Sequence, residues 1–198
     1  MSNPDALLHD FQSITEPLRL EELFVTPQPA ELEIGCGDGG FLLEHAQRHP
    51  ERNFLGVERL LGRVRKLSKN GQRADLTNLR LLRIEARYVL DYLLPERAFS
   101  AAHIYFPDPW PKDKHARHRL IQPDFLPRIR RVLAPGGVLY LRTDDLPYFE
   151  QMQETFQGAD GFTEEPMPAA LSEITTEFER QWLAEGKRTH YAAYCLNG

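Results

Sequence analysis

From Ala30 to its C-terminal end the chain reads as an α/β fold with a mostly parallel sheet. Two patterns specify it. Apolar runs of strand length alternate with segments at helical spacing, the order that βαβ units impose. The first such run also ends in a glycine-rich turn, Glu33-Ile34-Gly35-Cys36-Gly37-Asp38-Gly39-Gly40-Phe41, which joins strand to helix. Taken in order, Leu32 and Ile34 mark the first strand, and Phe41-Leu42 with His45-Ala46 mark a helix. Phe54-Leu55-Gly56-Val57 is a second strand, followed by a basic helix from Arg59 to Asn70. Leu79 to Ile84 is a third strand, with a helix across Tyr88 to Leu94. The run Ala101-Ala102-His103-Ile104-Tyr105-Phe106 is the fourth strand. A helix over Phe125 to Leu133 is stopped by Pro135-Gly136-Gly137. Val138 to Leu141 is the fifth strand, Tyr148 to Phe156 a further helix, and Tyr191 to Leu196 the last strand. Residues 1–29 are acidic and dotted with proline, and read as a helix plus a loose lead-in.

Composition narrows the class. A chain of 198 residues with 41% hydrophobic content fits one domain, 1–198, with a sizeable core. No apolar run reaches the roughly 18 residues of a membrane span. Met1 to Asp10 lacks the basic-then-apolar order of a secretory signal. Cys36 and Cys195 are too few and too scattered for a disulfide framework or a zinc site, and the seven histidines show no metal-ligand spacing. A cytoplasmic protein without a metal is expected. The net charge of −5 weighs against nucleic-acid binding, but distribution matters more than the sum. Two basic segments stand out. Arg59, Arg63, Arg65, Lys66, Lys69 and Arg73 read as a solvated helix face, whereas Lys112 to Arg119 follows a candidate site and reads as a phosphate grip.

That candidate site is Phe106-Pro107-Asp108-Pro109-Trp110-Pro111. Three prolines fix φ and delete three backbone donors, and each residue before a proline is pushed toward extended geometry. The segment therefore reads as a stiff, extended loop at a strand's end, where open α/β sheets bind ligands. It presents one carboxylate, Asp108, and one indole, Trp110, which either walls a pocket or caps the core. Three further acids fall at predicted strand ends. Gly35, Gly37 and Gly40 fit the spacing of the dinucleotide fingerprint, yet Glu33 stands where a nicotinamide protein carries an apolar residue. An acid there suits a positively charged ligand group such as an amino acid moiety. Glu58 follows about 20 residues on, where a carboxylate can hold ribose hydroxyls. Glu85 ends the third strand and can face an adenine edge. Three acids so placed describe an S-adenosylmethionine pocket rather than a pyrophosphate pocket. Asp144 follows the fifth strand and also sits at a carboxyl strand end. Cys36 reads as a small packing residue. Thr176-Glu177-Phe178-Glu179 reads by itself as a helix start, with Thr175 or Thr176 as cap and Glu179 in the first turn.

Glu33 to Gly37, Gly56-Val57-Glu58, Phe106 through Lys112, and Thr176 to Glu179 together resemble the bacterial tRNA (guanine-N7-)-methyltransferase family. Phe-Pro-Asp-Pro-Trp-Pro-Lys is the specific part, and the glycine loop is common to class I methyltransferases. The resemblance runs from about Ala30 to the end of the chain. It implies a Rossmann-like, seven-stranded, mostly parallel sheet flanked by helices. S-adenosylmethionine would be donor and S-adenosylhomocysteine product, with methylation of a guanine in the tRNA variable loop. By matching position, Glu33, Gly35, Gly37, Glu58, Glu85 and Asp108 would line the cofactor side, with Asp108 the catalytic residue. Lys112, Asp144, Thr176, Glu177, Phe178 and Glu179 would face the substrate. tRNA would be the partner of a monomer or homodimer. Three departures are visible: Asp113 and His118 interrupt the basic run after Lys112, Glu85 stands where Asp is more usual, and the N-terminal lead-in is short. The competing readings are a class I methyltransferase acting on a small molecule or protein, and a non-catalytic RNA-binding protein with the same fold.

Overall fold

The computed structural model describes residues 6–198, with the side chains of Asp113, Glu177 and Phe178 left aside. Seven strands make one sheet: β1 (Ala30–Ile34), β2 (Asn53–Glu58), β3 (Leu79–Arg83), β4 (Phe99–Tyr105), β5 (Leu133–Thr143), β6 (Phe162–Glu165) and β7 (His190–Leu196). Their order is β3-β2-β1-β4-β5-β7-β6. The first five strands are parallel, and β7 runs antiparallel to both β5 and β6. The connection from β3 to β4 crosses back over β1 and β2, so the order reverses between β1 and β4. That reversal opens a crevice at the carboxyl ends of the strands.

The helices are α1 (Leu20–Leu23), α2 (Leu42–Arg48), α3 (Leu61–Arg73), α4 (Ala86–Tyr88), α5 (Phe125–Val132), α6 (Leu146–Phe156), α7 (Ala169–Ser172) and α8 (Glu177–Ala184). A π-helical turn over Val89–Leu93 continues α4, and a 3₁₀ helix spans Asp113–His118. Two expectations shift. The helix read as ending at Leu133 stops at Val132, and β5 begins at once and runs through Pro135-Gly136-Gly137. The strand tolerates this because its pairing with β4 is irregular there: Phe99 faces Leu133, while Ala101 faces Val138. The pattern also passed over β6. Its residues Thr163, Glu164 and Glu165 are exposed on the sheet's edge and show no apolar alternation. The lead-in holds a single helical turn, α1. Upstream of it, His9 donates to the Leu81 carbonyl at 2.8 Å and Leu81 donates to Leu7 at 2.9 Å, which covers the edge of β3.

The two faces of the central strands differ in chemistry. Leu32 and Ile34 of β1, Ala102 and Ile104 of β4, and Leu139 and Leu141 of β5 join one apolar core with Phe125, Ile129, Tyr148 and Met152 from α5 and α6. The alternate positions, Glu31 and Glu33, His103 and Tyr105, Tyr140 and Arg142, form a polar band. The Glu31 carboxylate accepts from His45 Nε2 and His103 Nε2, each at 2.9 Å, and from Arg52. His103 Nδ1 then accepts from the Tyr105 hydroxyl at 2.8 Å. Burial pushes the Glu31 carboxyl up, but the hydrogen bonds from His103 and His45 outweigh it and hold the group well below the usual carboxylate range. Sequence spacing gave no hint of this cluster, because β1, α2 and β4 bring its members together from distant positions.

Candidate active site

Four turns leave the sheet at the crevice, and each carries a residue singled out by the sequence. The first follows β1, where the backbone N–H groups of Gly35 and Cys36 both donate to the Val57 carbonyl, at 2.8 and 3.1 Å. Gly35 and Gly37 hold φ of 76° and 56°, a region that L side chains rarely adopt. Gly39 holds φ of 86° and serves packing as well. A Cβ there would lie 2.1 Å from the Leu67 side chain on α3, so the loop lies flat on that helix. The fingerprint spacing selects Gly40; the close approach falls on Gly39.

At the end of β2, Glu58 is buried and ties the crevice floor together. Its Oε1 accepts from the Leu60 N–H at 2.8 Å and its Oε2 from the Gly37 N–H at 3.2 Å. Glu85 lies two residues beyond β3, exposed, and caps α4 by accepting from the Tyr88 N–H at 2.9 Å. Asp108 follows β4 on an exposed loop. These residues share one cavity of about 480 Å³, whose lining includes Gly35, Glu58, Glu85, Asp108 and Trp110.

Glu33 directly precedes Ile34 and Gly35 on that wall, and its side chain is buried with Oε2 lacking any partner. Burial pushes its carboxyl up to about 8, against the pull of Arg142 and with the push of Glu58. Glu33 itself is not among the lining residues, so its orphaned oxygen lies behind Ile34 and Gly35, where a ligand donor would satisfy it. Cys36 is buried in a packed cluster with Leu42 and Val64, and burial pushes its thiol up, which fits the packing role read from the sequence.

The loop after β4 departs from its expected geometry. Phe106 and Trp110, the residues before Pro107 and Pro111, have φ of 52° and 44°. Both positions were expected to be extended. Pre-proline crowding disfavours the right-handed helical region but does not exclude positive φ, which both residues adopt. Such a conformation in a bulky residue stores about 1–3 kcal/mol and is held only by its surroundings. Trp110 is 37% exposed, lines the cavity, and stands 5.0 Å from the His118 ring, so it walls the pocket and does not cap the core.

The basic segments also sort differently. Arg59 and Arg63, read as part of a solvated helix face, line the cavity at the start of α3. Their signal was position: they follow Glu58 immediately, where the helix still borders the crevice. Lys112, just before the 3₁₀ segment, and Arg117 within it are exposed, whereas Arg119 is buried.

Asp144 lies partly buried just past β5 and does not line the cavity; neither does Lys112. Thr176 caps α8, with its hydroxyl accepting from the Glu179 N–H at 3.0 Å in a reciprocal capping box. Glu179 is fully buried. It pairs with Arg142 at 3.3 Å and accepts from the Tyr191 hydroxyl at 2.8 Å. The side chains of Glu177 and Phe178 lie outside the described residues.

Strand order, the acids at the carboxyl edge and the glycine loop together define the class I methyltransferase fold. Solved structures agree. A 16S rRNA methyltransferase, KamB, superposes with a TM-score of 0.63 at 16% identity over 90% of this chain and 93% of its own. A precorrin-6y C5,15-methyltransferase from Geobacter metallireducens gives 0.58 at 16% identity over 86% and 81%. The family model described as "Putative methyltransferase" matches residues 27–192. Curated relatives named tRNA (guanine-N(7)-)-methyltransferase include one from Syntrophotalea carbinolica, 34% identical over 94% of this chain and 82% of its own length. Another, from Thermotoga maritima, is 34% identical over 87% of this chain, which spans 56% of that relative. The chain belongs to the tRNA (guanine-N7-)-methyltransferase family.

Proposed function

We propose that the chain transfers a methyl group from S-adenosylmethionine to N7 of a guanine in the variable loop of tRNA. The observation that carries this reading is Asp108 on its strained, proline-locked loop, facing the same cavity as Glu58 and Glu85. When bound, S-adenosylmethionine supplies an electrophilic methyl group on a sulfonium centre. Guanine N7 has a free lone pair and no proton, so no general base is required. The protein's task is alignment, and fixed geometry supplies most of the rate. Glu33 takes the amino acid ammonium, Glu58 the ribose hydroxyls, and Glu85 the adenine edge. Asp108 sits where the purine ring becomes cationic. A fixed carboxylate there stabilises the developing charge and accepts hydrogen bonds from the guanine imino and amino groups. Trp110 walls the base, and partial extrusion of the base exposes N7.

Lys112 and Arg117 meet phosphates at the rim, and Asp144 faces the substrate side. Thr176 and Glu179 serve that side by fixing α8. Such a protein works in the cytoplasm; among the described residues no helix is long and apolar enough to cross a membrane. The test is incubation with methyl-labelled S-adenosylmethionine and unmodified tRNA, then nucleoside identification. Labelled 7-methylguanosine is the expected product; label on another nucleoside, or on none, sinks the reading.

A further inference from the structure

We propose that Arg119 is a positioning residue for Asp108, acting through the strained loop 106–111, and not a phosphate-binding cation of the rim. The proposal rests on the methyl-transfer reading above. The loop is costly to hold. Its two aromatic residues, Phe106 and Trp110, both adopt positive φ, and its three prolines leave it few backbone donors. At its start the Phe106 N–H donates to the Arg142 carbonyl on β5 at 2.8 Å. At its centre the holding contact is a side chain: Arg119 Nε donates to the Pro109 carbonyl at 2.7 Å. That carbonyl lies one residue beyond Asp108.

Arg119 is itself fixed from behind. It is only 8% exposed, although it ends a basic run that otherwise faces solvent. A second guanidinium nitrogen donates to Gln151 Oε1 on α6, and the guanidinium carbon lies 4.9 Å from the centre of the Tyr148 ring, on the same helix. Gln151 in turn donates to the Ile121 carbonyl at 3.0 Å, and the Tyr148 hydroxyl accepts from the Ile121 N–H at 2.9 Å. Among the described residues every acceptor of the Arg119 side chain is neutral, so its charge strengthens the bond to the Pro109 carbonyl. The loop is thereby referenced to α6, an element packed in the main core. A guanidinium so enclosed does not release counterions from RNA. It keeps a strained backbone from relaxing and carrying Asp108 off line.

The test uses the full chain, S-adenosylmethionine and unmodified tRNA, with Arg119→Ala, Arg119→Lys and Gln151→Ala beside the native protein. For Arg119→Ala the expected result is a fall in kcat of about a hundredfold, the order that a misplacement of about 1 Å costs. The Kd for tRNA and its salt dependence should not move, and millimolar guanidinium should restore part of kcat. Gln151→Ala should lose kcat in the same direction, by less. The proposal is overturned by a native kcat in Arg119→Ala, or by weaker tRNA binding with a shallower salt dependence at preserved kcat. If Arg119→Ala does not fold, Arg119→Lys and Gln151→Ala carry the same readouts. If the native protein methylates no guanine, the reading above fails, and loop placement is judged alone. In a Trp182→Phe background, acrylamide quenching of Trp110 fluorescence must rise when Arg119 or Gln151 is removed, and unchanged quenching overturns the proposal.

Discussion

Glu33 is the residue whose chemistry is least complete without a ligand. Its ordinary value is 4.5, and burial pushes it up to about 8. Between those two values the folded chain keeps a proton that the unfolded chain has lost, so this group lowers stability as pH rises through the window. A cationic ligand group reverses the preference, because an ammonium beside the carboxyl favours its charged form. Cofactor binding at pH 7 should therefore expel close to one proton, and binding should tighten as pH rises toward 8. Calorimetry in buffers of different ionisation enthalpy measures the number directly. A buffer-independent enthalpy at pH 7 would remove Glu33 from the ligand's surroundings, and Glu33→Gln should abolish the release while weakening binding. Asp108 poses the complementary case, an exposed carboxylate to which the proposed reaction gives a chemical role. Asp108→Ala should abolish turnover with the circular dichroism spectrum and tRNA affinity preserved; near-native turnover would assign the charge stabilisation elsewhere.

At the scale of elements, α8 shows how a short segment is bound to a sheet. Arg142 is fully buried and donates to the Ile174 and Leu171 carbonyls as well as to Glu179. Removing one partner of a buried ion pair strands the other charge, at a cost of about 3 kcal/mol or more. Glu179→Ala should destabilise the fold by that order in urea unfolding, with the loss of the capping box included. A change below about 1 kcal/mol would mean that the carbonyls alone satisfy Arg142. The sequence showed the cap here, since Thr176 and Glu179 have the spacing, but Arg142 falls one residue past the strand read as Val138 to Leu141, and nothing in its spacing marks it as a partner of Glu179. The same limit applies elsewhere. Buried parallel strands announce themselves as apolar runs, so β1 to β4 were legible. An edge strand such as β6 has no buried face to write a pattern, and β5 hides its first half behind a proline and two glycines that a bulge accommodates. Three of the acids singled out in the sequence, Glu58, Glu85 and Asp108, line one cavity with Gly35, because a crevice at strand ends gathers the residues at and just beyond each strand's end. The positive φ of Phe106 and Trp110 was not legible, because proline chemistry excludes one region without selecting among the others.

For the whole molecule the tension is between a net charge of −5 and the polyanionic substrate proposed above. Distribution resolves it. The cavity mouth carries Arg59, Arg63 and Arg87 on one side, and the exposed Lys112 and Arg117 follow the Asp108 loop on the other. Acids such as Glu150, Glu154 and Glu164 gather around a separate groove by Phe156 and Tyr194. Glu58, Glu85 and Asp108 line the crevice's cavity and Arg87 is paired with Asp124, so the cations available to an RNA under the proposed function are those at the rim. Each phosphate neutralised releases condensed counterions, giving a slope of about 0.7 to 0.9 in log Kd against log salt. Lys112→Ala with Arg117→Ala should therefore weaken tRNA binding and make that slope shallower by about 1.5, if each holds one phosphate. Arg119→Ala, two residues beyond Arg117, should leave the slope where it is. Measured together, the two variants separate the charges that hold the RNA from the charge that holds the loop. A slope unchanged in the double variant would move the RNA path to the α3 side of the cavity, where Arg59 stands.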